Sequence, residues 1–213
     1  MNQLFFLAMM MSSLSAPDLD LAKEQLSIDL QQAQTLVLTD PARCVQIATS
    51  FLERTANNPK QIISSRQEYG YREPMLNYGT ATQTTGAYLL KGECLQQLGQ
   101  FKPAQEAFAQ GIAMAEKEQQ FELQAHGLYL QIRSQNLQQH SHGASATQLG
   151  KLDQLLASPT LKESQLQVYS RLLHVNASIE ERQFDLAKHQ LVEARQWAEQ
   201  AKNPLARAWT SAV

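Results

Sequence analysis

Glycine, proline and cysteine are scarce in this chain, at nine, seven and two of 213 residues. A many-stranded β fold needs frequent turns built on Gly and Pro, and alternating runs of Val, Ile and Thr, which are also missing. What remains is an all-α chain. Charge is scarce too, with 18% Asp, Glu, Lys and Arg, a net charge of -2 and a pI of about 6.2. No long block of like charges occurs, so there is no basic face for nucleic acid. The 29 Gln, good helix formers, fill the solvent faces that Lys and Glu usually take. There is no CxxC and no Cys/His cluster with zinc spacing. GxSxG, HExxH, the P-loop and glycine-rich phosphate cradles are absent as well. The expectation is a non-catalytic chain with no cofactor and no metal.

The first 16 residues stand apart. Leu4 to Met11 is an apolar run too short to cross a bilayer. Ser13 and Ser15 follow at the spacing signal peptidase accepts, and Ala16-Pro17 favours a cut after Ser15. The n-region contains no Lys or Arg. Residues 1–16 are read as a secretory signal; a short apolar helix of the folded domain and a mis-assigned start are the alternatives. No other segment is a candidate membrane span. Export would make the product periplasmic, and without a signal it would be cytoplasmic. In an exported chain Cys44 and Cys94 could pair. The reading adopted is two small buried apolar side chains on different helices.

Helix punctuation is legible. Asp40-Pro41 is an N-cap with Pro at the first helical position, and Asn203-Pro204 repeats it. Ser145 to Gln148 and Thr160 to Glu163 read as capping boxes. Between these marks the helices fall into pairs: 19–38 with 41–56, 76–98 with 101–117, 119–138 with 146–157, and 161–182 with 184–201. A further helix opens at 204. The turns "GQF" at 99–101 and "RQF" at 182–184 are short enough to force antiparallel neighbours. "FKPAQEAFAQGIAMAEK" at 101 and "FDLAKHQLVEARQWAEQ" at 184 superpose without gaps. Ala104 then matches Ala187, Phe108 matches Leu191 and Gly111 matches Ala194. With one pair between them the period is about 41 residues, within the range of helical repeats.

"YLLKGECLQQLGQFKPAQEAF" at 88–108 resembles a tetratricopeptide repeat. The family places a large aromatic, a small residue and a large residue on its first helix, here Tyr88, Gly92 and Leu95. It places Ala and an aromatic on its second, here Ala104 and Phe108. Phe184, Ala187, Leu191 and Ala194 continue the pattern in the last pair. There Arg171 takes the aromatic position and Val175 the small one. The resemblance implies a right-handed α-solenoid of about four antiparallel helix pairs plus the first helix of a fifth, over 17–213. In it Gly92 would face Ala104. A signal, then "LVLTDPARCVQIA" at 36–48, then Gln-rich repeats is similar to the N-terminal sensory regions of bacterial membrane diguanylate cyclases and histidine kinases. The cyclase signature GGDEF is not in this chain.

The interruption at 57–75 lengthens into "NNPKQIISSRQEYGYREPMLNYG", 57–79. It carries Arg66, Tyr69, Tyr71 and Arg72, residue types that often hold interface energy. An ordinary inserted helix is the plainer reading. Gln83, Lys91, Gln131, Gln135 and Arg171 are the exposed positions expected on the first helices of the pairs, where a groove would form. "HSHG" at 140–143 is a loop with too few ligands for a metal. His174 and His189 are read as structural or solvated. The functional expectation is a protein- or peptide-binding repeat module, the sensory or scaffolding part of a longer signalling protein. Such a protein would continue past Val213, because the helix from 204 lacks its partner. A free-standing exported scaffold, dimerising through that exposed end, is the alternative.

Overall fold

The structure is a computed structural model and describes residues 29–57, 83–139, 146–162 and 164–200. The signal at 1–16, the insertion at 57–75 beyond its first residue, the HSHG loop and the helix expected from 204 lie outside the described residues. The described chain is helical throughout, without strands. Helix α1 covers 29–36, followed by α2 (Pro41–Asn57), α3 (Gln83–Gln97), α4 (Phe101–Lys117), α5 (Phe121–Gln139) and α6 (Ala146–Leu156). A 3-10 turn (Pro159–Leu161) leads to α7 (Leu166–Glu180) and α8 (Phe184–Gln200). From α2 onward each helix packs on its neighbour in the chain, and α3 with α5 and α5 with α7 also touch.

The caps explain where helices begin. Asp40 Oδ1 accepts the Arg43 N–H at 3.1 Å and so supplies the N-cap of α2. The expected capping box at Thr160 does not open a helix. The Thr160 hydroxyl lies 2.9 Å from that of Ser158, in a 3-10 turn carrying Pro159 in its first positions. The buried amide of Gln167 then donates to the carbonyls of Leu156 (2.7 Å) and Leu161 (3.2 Å), and α7 begins only at Leu166.

Three connections share one geometry. Gly99, Gln119 and Arg182 take φ of 71°, 56° and 58°. The next residue in each donates its N–H five residues back, Gln100 to Leu95, Gln120 to Ala115 and Gln183 to Ser178, at 2.8–2.9 Å. This is the left-handed helix stop that satisfies the last carbonyls of a helix. In each case Gln then Phe follows: 100–101, 120–121 and 183–184. Glycine takes the left-handed position at no steric cost only at Gly99.

The core runs along the stack in successive clusters. Leu30, Ala33, Phe51, Leu90 and Cys94 join α1, α2 and α3; Leu89, Phe108, Leu130, Leu152 and Tyr169 join α3 to α7; and Val168, Leu172, Ala194 and Ala198 join α7 to α8. On α4 the buried side is Ala104, Ala107, Phe108, Gly111 and Ala115, a stripe at helical spacing. Burying a side chain the size of Phe108 contributes about 2–3 kcal/mol.

One sequence expectation is sharpened here and one changes. What lies nearest to Gly92 is the Phe108 ring. An ideal Cβ on Gly92 would lie within 2.9 Å of three carbons of the Phe108 ring, so the glycine makes room for that ring. Ala104 is itself fully buried. The reason is length: Phe108 reaches across to α3, and a ring needs more room than a methyl. Phe184 is not a packing residue, being 65% exposed, whereas its counterpart Phe101 is half-buried. Helix α4 has packed neighbours on both sides, whereas α8 packs chiefly on α7 among the described residues. Tyr88 is half-buried, Leu95 and Ala187 are buried, Ala194 is fully buried, and Leu191 is partly buried against the last cluster.

Cys44 and Cys94 form a disulfide, with Cα atoms 6.1 Å apart. Both are fully buried on different helices, as expected, but the expectation that they are unpaired apolar side chains is overturned. That they are bonded follows from the packing of α2 on α3, which brings residues 50 apart in sequence into contact. Asp29 and Arg54 add an ion pair between α1 and α2.

Candidate functional site

The principal cleft, of about 430 Å³, lies where α6, α7 and α8 meet. Gln167, Ser170, Arg171 and His174 line it from α7 at spacings of three, four and seven, which put them on one face of the helix. Asp153 and Leu156 close it from α6, and Gln190 and Glu193 from α8.

Asp153 is the hub. Its Oδ1 accepts from the Ser170 hydroxyl at 3.0 Å, and its Oδ2 lies 2.9 Å from His174 Nε2. Burial raises the pKa of its carboxyl. The hydrogen bond and charge of His174, the Ser170 hydroxyl and the Arg171 charge outweigh that and hold it below the usual carboxylate value. Ser170 and His174 thus each bond to a different oxygen of the one carboxylate.

Arg171 is half-buried. Its Nη1 donates to the Gln167 carbonyl (2.8 Å) and to Gln167 Oε1 (2.9 Å). The guanidinium carbon stands 4.4 Å from the centre of the Trp197 ring, a cation–π contact. Burial lowers its pKa, and the charges of Glu193 and Asp153 oppose that shift. Ser178 donates to Gln190 Oε1 at 2.8 Å and ties α7 to α8 below the cleft.

A second, smaller cleft of about 190 Å³ lies between α5 and α7. Tyr129, Tyr169, Leu172 and Leu173 form its apolar floor, with Arg133, Asn136, Leu137 and Asn176 around it. The two Tyr rings lie 5.5 Å apart. Asn136 is 5% exposed, and its Oδ1 has no hydrogen-bond partner among the described residues. A buried acceptor left so is unfavourable.

The residues expected to line a groove divide. Arg171 lies in the principal cleft. Lys91 is half-buried on α3, and Gln83 begins that helix. Gln131 and Gln135 are tied internally rather than presented to solvent. Gln105 Nε2 donates to the Gln131 carbonyl (3.1 Å), Gln135 Nε2 to Gln105 Oε1 (3.5 Å), and Gln148 Nε2 to Gln131 Oε1 (3.3 Å). Both are half-buried because α5 packs against α4 on one side and α6 on the other. Arg66, Tyr69, Tyr71 and Arg72 lie outside the described residues. His174 lies against Asp153 in the cleft. His189 lies 3.7 Å from Glu193 on an exposed face.

Asp153, Ser170 and Asn136 were not singled out from the sequence. For Ser170 a signal was present: "QVYSRLLH" at 167–174 puts four polar residues on one face of a largely apolar helix. Among the described residues no His, Cys, Asp and Glu cluster could hold a metal, and no helix is long and apolar enough to cross a membrane. No family model matches the chain, and neither curated proteins nor solved structures give a match.

Proposed function

We propose that the chain is a tetratricopeptide-like module that binds an extended peptide segment in the cleft between α5 and α7, without catalysing a reaction. The helix pairs would stack as a right-handed solenoid with α3, α5 and α7 side by side. The contacts of α3 with α5 and of α5 with α7 support that arrangement. The observation that carries the reading is Asn136. It lines the cleft with Asn176 and Arg133 around an apolar floor, and a small shift of its amide would give its unpaired acceptor a backbone N–H of a bound strand. Apolar side chains of the peptide would rest on Leu172, Leu173 and the Tyr rings. The buried disulfide supports export, since such bonds persist in oxidising compartments. Export in turn supports a sensory or scaffolding part of a longer signalling protein.

The test is peptide selection on the full chain from a displayed random library. Enriched peptides should compete with one another. They should lose about tenfold or more in affinity with Asn136→Ala or Arg133→Glu, the loss expected for a buried hydrogen bond or a charge pair. Failure to enrich any peptide, or enriched peptides indifferent to both substitutions, would refute the assignment.

A further inference from the structure

The principal cleft shares no lining residue with the cleft between α5 and α7. Its chemistry is different. A guanidinium offers five N–H donors in a fixed fork. Arg171 uses only its Nη1 pair, on Gln167. Among the described residues the remaining donors, on Nε and Nη2, meet no acceptor. The group is already drawn partly out of water and stacked on Trp197, so its side-chain geometry is set before anything binds. Asp153 and Glu193 line the same cleft, yet neither makes an ion pair with Arg171. Each Asp153 oxygen accepts one hydrogen bond, from Ser170 or His174, and keeps a second acceptor position. Residues with unused cationic donors and unused anionic acceptors therefore line one cleft.

That combination discriminates among ligands. A simple anion would meet two carboxylates, and a simple cation would meet the guanidinium. A molecule bearing both charges a few atoms apart can place each opposite its complement. We propose that this cleft binds a free α-amino acid. Its carboxylate would lie on the Nε and Nη2 donors of Arg171, its ammonium between Asp153 and Glu193, and its side chain toward Leu156. About 430 Å³ is within the range of small-molecule sites and ample for an amino acid. Gln167 and Ser170, both at least nine-tenths buried, hold Arg171 and Asp153 in place and make this a built site. The proposal does not depend on the peptide reading, because neither cleft contributes a residue to the other.

The experiment uses the full chain and pools of the standard L-amino acids at millimolar concentration. Thermal shift comes first, then calorimetric titration of the members of any active pool. At least one amino acid should raise the melting temperature and titrate. Its N-acetyl and its carboxamide derivatives should each bind about tenfold or more weakly, since each lacks one charge-assisted contact. Arg171→Gln should abolish binding. Glu193→Gln, at a half-exposed position on α8, should weaken binding in a folded protein whatever Arg171→Gln does to stability. Arg133→Gln, in the other cleft, should leave it unchanged. The proposal is overturned if no pool shifts the protein, if the N-acetyl derivative binds as well as the parent, or if Glu193→Gln has no effect.

Discussion

Gly92→Ala sets a helix-forming gain against a steric clash. In an open helix interior Ala is better than Gly by about 1 kcal/mol. At position 92 the new Cβ would stand within 2.9 Å of three Phe108 ring carbons, closer than real Cβ atoms come. The ring is fully buried, so it cannot swing into solvent, and α3 and α4 would have to part. Overpacking a close-packed core costs about 1–3 kcal/mol. The clash therefore outweighs the gain, and the expected net loss is about 1 kcal/mol. Gly150→Ala is the matched control. It lies in α6 with nothing within 4 Å of its Cβ, so only the helix-forming gain applies. In urea unfolding the same substitution should lower the midpoint at 92 and raise it at 150, with unchanged slope. In a Phe108→Leu background the loss at 92 should shrink, with a coupling of about 1 kcal/mol. If both alanines raise the midpoint, or if the double-mutant cycle is additive, Phe108 is not what requires glycine at this position.

The left-handed turn at Arg182 should be relieved by Arg182→Gly, which is expected to raise stability by about 0.5–1 kcal/mol in the same assay, whereas Gly99→Ala should lower it by about 1 kcal/mol. Cys44→Ser with Cys94→Ser should cost up to about 4 kcal/mol from the released loop of 50 residues, and a reducing agent should destabilise the native protein but not this variant. Because the pKa of Asp153 is depressed in the fold, its contribution is present above its unfolded value and is lost as pH falls through the folded one. Asp153→Asn should therefore narrow the stability difference between neutral and acid pH, and an unchanged acid limb would show that its partners do not stabilise its ionised form.

Local signals placed most helix ends. Asp40-Pro41 started α2, the period on α4 and α8 was legible in their Ala and Leu spacing, and "GQF" and "RQF" marked two turns. These depend on neighbours in sequence, through caps, missing N–H groups and helical periodicity. The break after 117 was legible, but nothing in a Gln betrays the left-handed backbone at Gln119. Likewise the spacing showed that Gly92 must be small, but only the crossing of α3 and α4 decided that a ring, not a methyl, fills the space. Composition favoured two unpaired cysteines, and the packing of α2 on α3 joined them instead. Arg171 was chosen from the sequence as an exposed groove residue. Its stacking on Trp197 and its place beside Asp153 depend on which faces of α6, α7 and α8 meet, and one helix cannot encode the side chains that another will bring to it.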